Sequence, residues 1–589
     1  MVHDHRLSPI SRRTMLQATA ATGLSAGAAS IISRVAAAQA TPVASPIASP
    51  AAGPVTTSIT RDDYLAQVAA AFPLEEPANL GGQLIQITAG DLTSLNPLLA
   101  IDENSFTLAT MLFNTLTRTS VVDGSTVPNL AEYWETSADS LTFTFYLPQN
   151  AVWHDGTALT ADDVVFTFDA LLQEGSIAGA SSTVSSMVKS FRAIDAYTFE
   201  LVALQPTPTF LLNVASSVWI LPKHIWESVP VGEWGTTAAA TGTDASKVIG
   251  SGPFKFSERV VGDHTSAVRN DAYFVPSEVP YIDTYTQRVA PEAASSAQSL
   301  VTGESDLGVL QPEQIDIIES GNPDVVIHTW DSLSELIVWA NQDPAHSMLF
   351  TDVKVRQALY YGIDRDLIAE QVFQGLAIRA DGVQPVLSNA SDPDQVNTIY
   401  TYDPDKANAL LDEAGWIDSD GDGIREKDGV KFSFEYLYYL NDQMVPYMQE
   451  SYQAIGLELV PTKIPFESLV ERVMAGDFDM VQLGFGATNP DGDQGGMFRC
   501  DAAPPAGLNL ARYCNPEYDA LNDAQAVELD PEVRRQLLID QSNIVNDEAA
   551  LMFIVFLKLI AASGPRVHNF FPNGYLYCWS FNKIWLDAE

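Results

Sequence analysis

Leu141, Phe143, Phe145 and Leu147 alternate with Thr142, Thr144 and Tyr146, a period of two that predicts a half-buried strand ending at Pro148. The chain then passes through Trp153-His154-Asp155-Gly156 to Thr160, which is placed to cap a helix whose apolar stripe is Val164, Phe168, Leu171 and Leu172. Asp163, at the third helical position, can return the capping bond. Further on, Asp352 precedes a helix that buries Val355, Ala358, Leu359 and Gly362, and Asp364 caps the next, carrying Leu367, Ile368 and Val372. Asp403-Pro404 opens another, which runs through Leu410 and Leu411 to Gly415. Strands and helices alternate in this way along the chain, which predicts an α/β architecture.

The first forty residues belong to export rather than to a core. Ser11-Arg12-Arg13-Thr14-Met15-Leu16-Gln17 is a twin-arginine box, an Ala-rich run follows from Ala18 to Ile32, and Ala38-Gln39-Ala40 is a cleavage site. The run is shorter and less apolar than the roughly 20 strongly apolar residues of a membrane span. From Thr41 to Ser58 the composition cannot bury a core, so residues 41–78 are expected to be a disordered linker. The remaining length exceeds what one hydrophobic core holds, so two or three packed units are expected.

The sequence has 31 basic and 75 acidic residues, a formal net charge of −44. Such a surface repels phosphate backbones and anionic lipid, which argues against nucleic-acid binding. Cys500 and Cys514 flank a Pro- and Gly-containing loop and can close a disulfide outside the cytoplasm, leaving Cys578 unpaired.

Five stretches, in order, resemble the extracellular solute-binding proteins of the oligopeptide, dipeptide and nickel ABC importers. They are Gly82-Gln83-Leu84 with Leu95-Asn96-Pro97; Val152-Trp153-His154-Asp155-Gly156-Thr157 with Leu159 to Val164; Gly250-Ser251-Gly252-Pro253-Phe254; Val353 to Leu359 with Ile363-Asp364-Arg365; and Asn515-Pro516-Glu517-Tyr518-Asp519. The resemblance implies a type II periplasmic-binding-protein fold, two lobes with a hinge and an extra domain in the first lobe. The implied division is signal peptide 1–40, linker 41–78, first lobe 79–116, extra domain 117–245, first lobe again 246–326, second lobe 327–556 and first lobe 557–589. It also implies a monomeric, exported, envelope-associated receptor, periplasmic or extracellular, that captures a peptide-sized solute, hands it to an ABC permease and needs no cofactor.

The candidate ligand segment is Gly484 to Asp491. In peptide-binding members of the resembled family, an Asp here pairs with the ligand's α-amino group; this chain has Thr488, which lacks the charge. Phe485, Thr488, Asn489 and Asp491 are therefore the ligand-binding candidates, joined by Asn341, whose expected role is to orient backbone near the hinge. Asp418, Asp420, Asp422 and the Ile424 carbonyl repeat the spacing of a calcium loop, with Gly429 where a closing Glu belongs and Glu426 or Asp428 as substitutes. The rival readings are an extracellular hydrolase of oligosaccharide or peptide, built on paired carboxylates, and a binding subunit that only senses. The nucleophile, zinc and phosphate-loop motifs of common enzymes are missing from the sequence, and the expectation is that the chain is no enzyme.

Overall fold

The computed structural model describes residues 55–486 and 490–588. The expected signal peptide and residues 41–54 of the expected linker lie outside them, as do Thr488 and Asn489. The rest of the expected linker is structured. Thr56–Thr57 pairs with Thr136 and Glu135 at the edge of a sheet. Arg61–Ala71 is a helix, opened by a capping box between Thr60 and Asp63, that buries Tyr64 and Val68. The apolar seam is only those two side chains, one turn apart in an Ala-rich segment, which is why composition alone reads as linker.

Two sheets organise the chain. The smaller has five antiparallel strands, in the order Thr56–Thr57, Tyr133–Thr136, Thr142–Tyr146, Thr198–Ala203 and Val188–Asp195. Phe143 and Phe145 point from it into a core shared with the helix Ala161–Leu172, where the Thr160 amide donates to the Asp163 carboxylate at 2.9 Å.

The larger sheet has eleven strands and spans two lobes. In the first lobe, Gln83–Thr88 lies parallel to both Thr284–Val289 and Leu307–Val309, with the Phe254–Val260 and His264–Arg269 strands continuing outward. In the second lobe, Ser433–Tyr438 is parallel to Glu458–Lys463 and Met480–Gly486. The lobes are joined by two long antiparallel strands that belong to both. We number β1 (Val326–Ala340), β2 (Met480–Gly486) and β3 (Met552–Ser563).

Along β1 and β3, Val326 to Asp331 pair with Ser563 to Lys558 in the first lobe, and Glu335 to Val338 pair with Phe556 to Met552 in the second. Between them the register breaks at residues 332–334, where the Ser332 hydroxyl donates to the Leu557 carbonyl at 2.6 Å. A break of ladder pairing lets a strand bend and twist locally, so the crossing falls inside two continuous strands. The second lobe packs a core on each face of its sheet, one around Leu336, Val338 and Tyr436, the other around Ile337, Trp339 and Phe553.

Candidate functional site

Two quoted motifs dock on each other in the first lobe. The His154 amide donates to the Gly250 carbonyl at 2.8 Å, and the Gly250 amide donates to His154 Nδ1 at 3.1 Å. His154 Nε2 lies 3.1 Å from the Gly252 carbonyl, so the imidazole takes the Nε2–H tautomer. Burial holds His154 neutral, its pKa lowered to about 3. A Cβ at Gly250 would stand 1.8 Å from the Leu112 carbonyl oxygen, and one at Gly252 2.2 Å from that of Met111. These motifs are therefore backbone packing.

The second lobe uses arginines the same way. The buried Arg356 guanidinium donates to the carbonyls of Phe350, Thr351, Glu548 and Ala549. Arg365 donates to those of Ala380, Phe553 and Tyr400.

The predicted ligand residues fall into different environments. Phe485, on β2, is 8% exposed with its ring 5.4 Å from that of Trp339, so it is part of the second-lobe core at its hinge end. Asn341 is fully buried; its amide donates to the carbonyls of Gly476 (3.0 Å) and Phe478 (2.9 Å), and its oxygen accepts from the Asp343 amide. It orients the turn that precedes β2. Asp491, 9% exposed, forms a two-pronged ion pair with Arg534 at 2.6 and 2.8 Å, so its charge is matched within its own lobe.

Pro490 follows Asn489 directly and reaches the first lobe. A Cβ at Gly124, where φ is +75°, would lie 2.9 Å from the Tyr575 ring and 3.1 Å from Pro490 Cγ. The Tyr575 hydroxyl donates to the Leu387 carbonyl of the second lobe at 3.3 Å. The lobes thus meet beside the candidate segment.

Sequence reasoning missed Glu335. It stands on β1 directly opposite Phe485 on β2 and opposite Phe556 on β3, and is 4% exposed. Its Oε2 has no hydrogen-bond partner, and burial raises its pKa well above the ordinary glutamate value. The available signal was a lone acid at the head of the apolar run Leu336-Ile337-Val338-Trp339.

Cys500 and Cys514 are bonded, and Cys578 is a buried free thiol. In the acidic loop, Asp418 accepts the amides of Gly421 and Gly423, Asp420 that of Asp422, and Asp422 that of Ile424. Lys431 bonds Asp422 and holds its carboxyl below the usual range. Oxygens of Asp418, Asp420 and Glu426 lie within 4.8 Å of one another. Among the described residues, no helix is long and apolar enough to cross a membrane.

Two lobes joined by paired strands with a register break between them, and touching beside the candidate segment, define a ligand-capturing receptor of the type II periplasmic-binding-protein class. The comparisons agree. Residues 125–500 match the model of the bacterial extracellular solute-binding proteins, family 5 (middle region), and the chain belongs to that family. The oligopeptide-binding protein AppA of Bacillus subtilis is 32% identical over 455 residues, covering 76% of this chain and 81% of AppA. The dipeptide-binding protein of Escherichia coli is 26% identical over 496 residues, covering 80% and 88%. The structure of B. subtilis AppA in complex with a nonapeptide aligns with a TM-score of 0.70 and 28% identity, covering 87% of this chain and all of that one. NikA of Brucella suis with Fe(III)-EDTA, at 22% identity, a TM-score of 0.73 and coverage of 86% and 100%, shares the fold. The chain is the substrate-binding receptor of an ABC transporter, and the family is one of transport receptors rather than enzymes.

Proposed function

We propose that this receptor captures a peptide or a peptide-sized solute between its lobes and presents the closed form to a membrane permease. The observation that carries the reading is the pair of strands β1 and β3, continuous through both lobes and broken in register at residues 332–334. A hinge there lets a ligand that bonds both lobes favour the closed arrangement by its own binding free energy. The peptide class is supported by AppA, solved with a nonapeptide at 28% identity. In this reading the protein leaves the cytoplasm folded, through its twin-arginine leader, and works as a monomer.

Native mass spectrometry of protein from its own host, followed by calorimetry with the co-purified molecule, tests this. One-to-one binding without turnover supports the receptor, whereas product release supports the hydrolase. The candidate segment is tested by Phe485→Ala and Thr488→Ala, each expected to weaken binding; wild-type affinity in both removes that placement.

Calcium is proposed at the acidic loop on Asp418, Asp420 and Glu426. The support is the close approach of their oxygens and the chemistry of the set, all hard carboxylate donors.

A further inference from the structure

Glu335 is out of place for a scaffold residue. Glu335 as a residue is 4% exposed, yet its buried Oε2 has no hydrogen-bond partner, and no ion pair involves the residue among those described. Leaving a carboxylate in apolar surroundings without a partner costs several kcal/mol, and a native structure that retains one calls for an explanation. The neighbouring polar groups make their bonds elsewhere. The Ser332 hydroxyl donates to Leu557, the Tyr360 hydroxyl donates to the Phe553 carbonyl and accepts its amide, Arg365 gives Nη1 and Nη2 to three carbonyls while its buried Nε makes no bond, and Lys558 lies 3.8 Å from Asp331.

Its position is specific. Phe485, Glu335, Phe556 and Ile378 form one row across four paired strands, and directly opposed residues of antiparallel strands share a face. In the β1–β3 ladder the row is the first pair of the second lobe past the register break, and Ile378 at its end is 38% exposed. A carboxyl between two phenyl rings offers a cation both a counter-charge and aromatic faces. The whole chain, at −44, draws cations toward any cleft in it.

We propose that Glu335 is the anchor for a cationic group of the ligand, an ammonium or a guanidinium, seated between the Phe485 and Phe556 side chains at the hinge. The proposal rests on the receptor reading above. It supplies an anion to a chain that carries Thr488 where peptide-binding relatives are expected to carry an Asp. Burial raises the pKa of this carboxyl, so the empty site favours its protonated form, and an arriving cation favours ionisation with release of the proton.

The test is calorimetry of the full mature protein with three peptide pools in two buffers of different ionisation enthalpy. One pool has free amino termini and no lysine or arginine. A second is N-acetylated, and a third is N-acetylated with one lysine. Wild type is expected to bind the first or third at least tenfold more tightly than the second, with proton release on binding. Glu335→Gln, uncharged and nearly isosteric, is expected to lose that preference and the proton release while still binding the acetylated pool. The first pool against the third tells whether the terminus or a side chain is held. Equal wild-type affinity for all three pools, or an unchanged preference in Glu335→Gln, overturns the anchor and leaves the receptor standing. Binding of no pool by wild type overturns the peptide reading and the anchor with it.

Discussion

His154 and Glu335 are both buried titratable side chains, one in the first lobe and one at the hinge, and they differ in what surrounds them. His154 is held by one glycine-bearing turn, Gly250-Ser251-Gly252, that uses both ring nitrogens, so the imidazole serves as a fixed bracket between backbone segments. Glu335 has an oxygen that nothing meets. Burial shifts both away from their charged forms, yet only the first is satisfied by the protein itself. A buried polar group that the fold completes is scaffold; one that the fold leaves incomplete is where a ligand enters the account.

The largest effect expected from breaking the scaffold side is Gly250→Ala. Its Cβ would overlap the Leu112 carbonyl, a backbone atom that cannot rotate away. A loss of about 4 kcal/mol or more is expected in urea unfolding, or failure to accumulate folded. Gly232→Ala, whose Cβ meets nothing nearer than 3.8 Å, is the matched control.

Next in size is removal of the disulfide by Cys500→Ser with Cys514→Ser. The bridge closes a loop of sequence separation 14, and the chain-entropy estimate for such a loop is about 3 kcal/mol. Urea unfolding of the oxidised and double-variant proteins measures it.

The two groups also titrate in opposite senses. The folded pKa of His154 lies below its ordinary value of 6.5, at about 3, so the unfolded chain binds a proton that the native one refuses. Its contribution is present above pH 6.5 and is lost as pH falls from there toward 3. The folded pKa of Glu335 is raised above 4.5, so its contribution is present below that value and is lost as pH rises through the folded pKa. Melting temperatures of wild type, His154→Gln and Glu335→Gln from pH 4 to 8 separate them. Glu335→Gln should gain on wild type as pH rises, and His154→Gln should flatten the acid side. Parallel curves for Glu335→Gln and wild type would mean that the carboxyl has found a partner.

Much of the frame was legible because it is local. Thr160 with Asp163, Asp364 and Asp403 cap the helices that their spacing predicts, and Phe143 and Phe145 face the core that their alternation predicts. Asn341 holds backbone through three bonds, but at the second-lobe end of β1, away from the register break, rather than near the hinge as expected. What was hidden is non-local. Asp491 is satisfied by Arg534, 43 residues away on a different element. Glu335 is buried because β2 and β3 close on β1 from both sides, which no window along β1 reveals. The strand and helix between residues 56 and 71 were masked by Ala-rich composition, since Tyr64 and Val68 carry most of their burial.

The acidic loop is a third arrangement, exposed and only partly completed by its own backbone, and it carries the smallest expected effect. Its spacing nominates Asp418, Asp420, Asp422 and Ile424, but Lys431 hydrogen-bonds Asp422 and stands 3.6 Å from Asp420, while Glu426 brings an oxygen to Asp418 and Asp420. If geometry rather than spacing selects the ligands, calcium added to chelator-treated protein should raise the melting temperature by about 2–4 °C, the scale of a stabilisation near 1 kcal/mol in a large chain. Glu426→Gln and Asp418→Asn should abolish that rise and Asp422→Asn should keep most of it. The reverse pattern would return the loop to its sequence motif, and no rise or calcium heat in wild type would leave it an acidic turn whose carboxylates are spent on amides and one lysine.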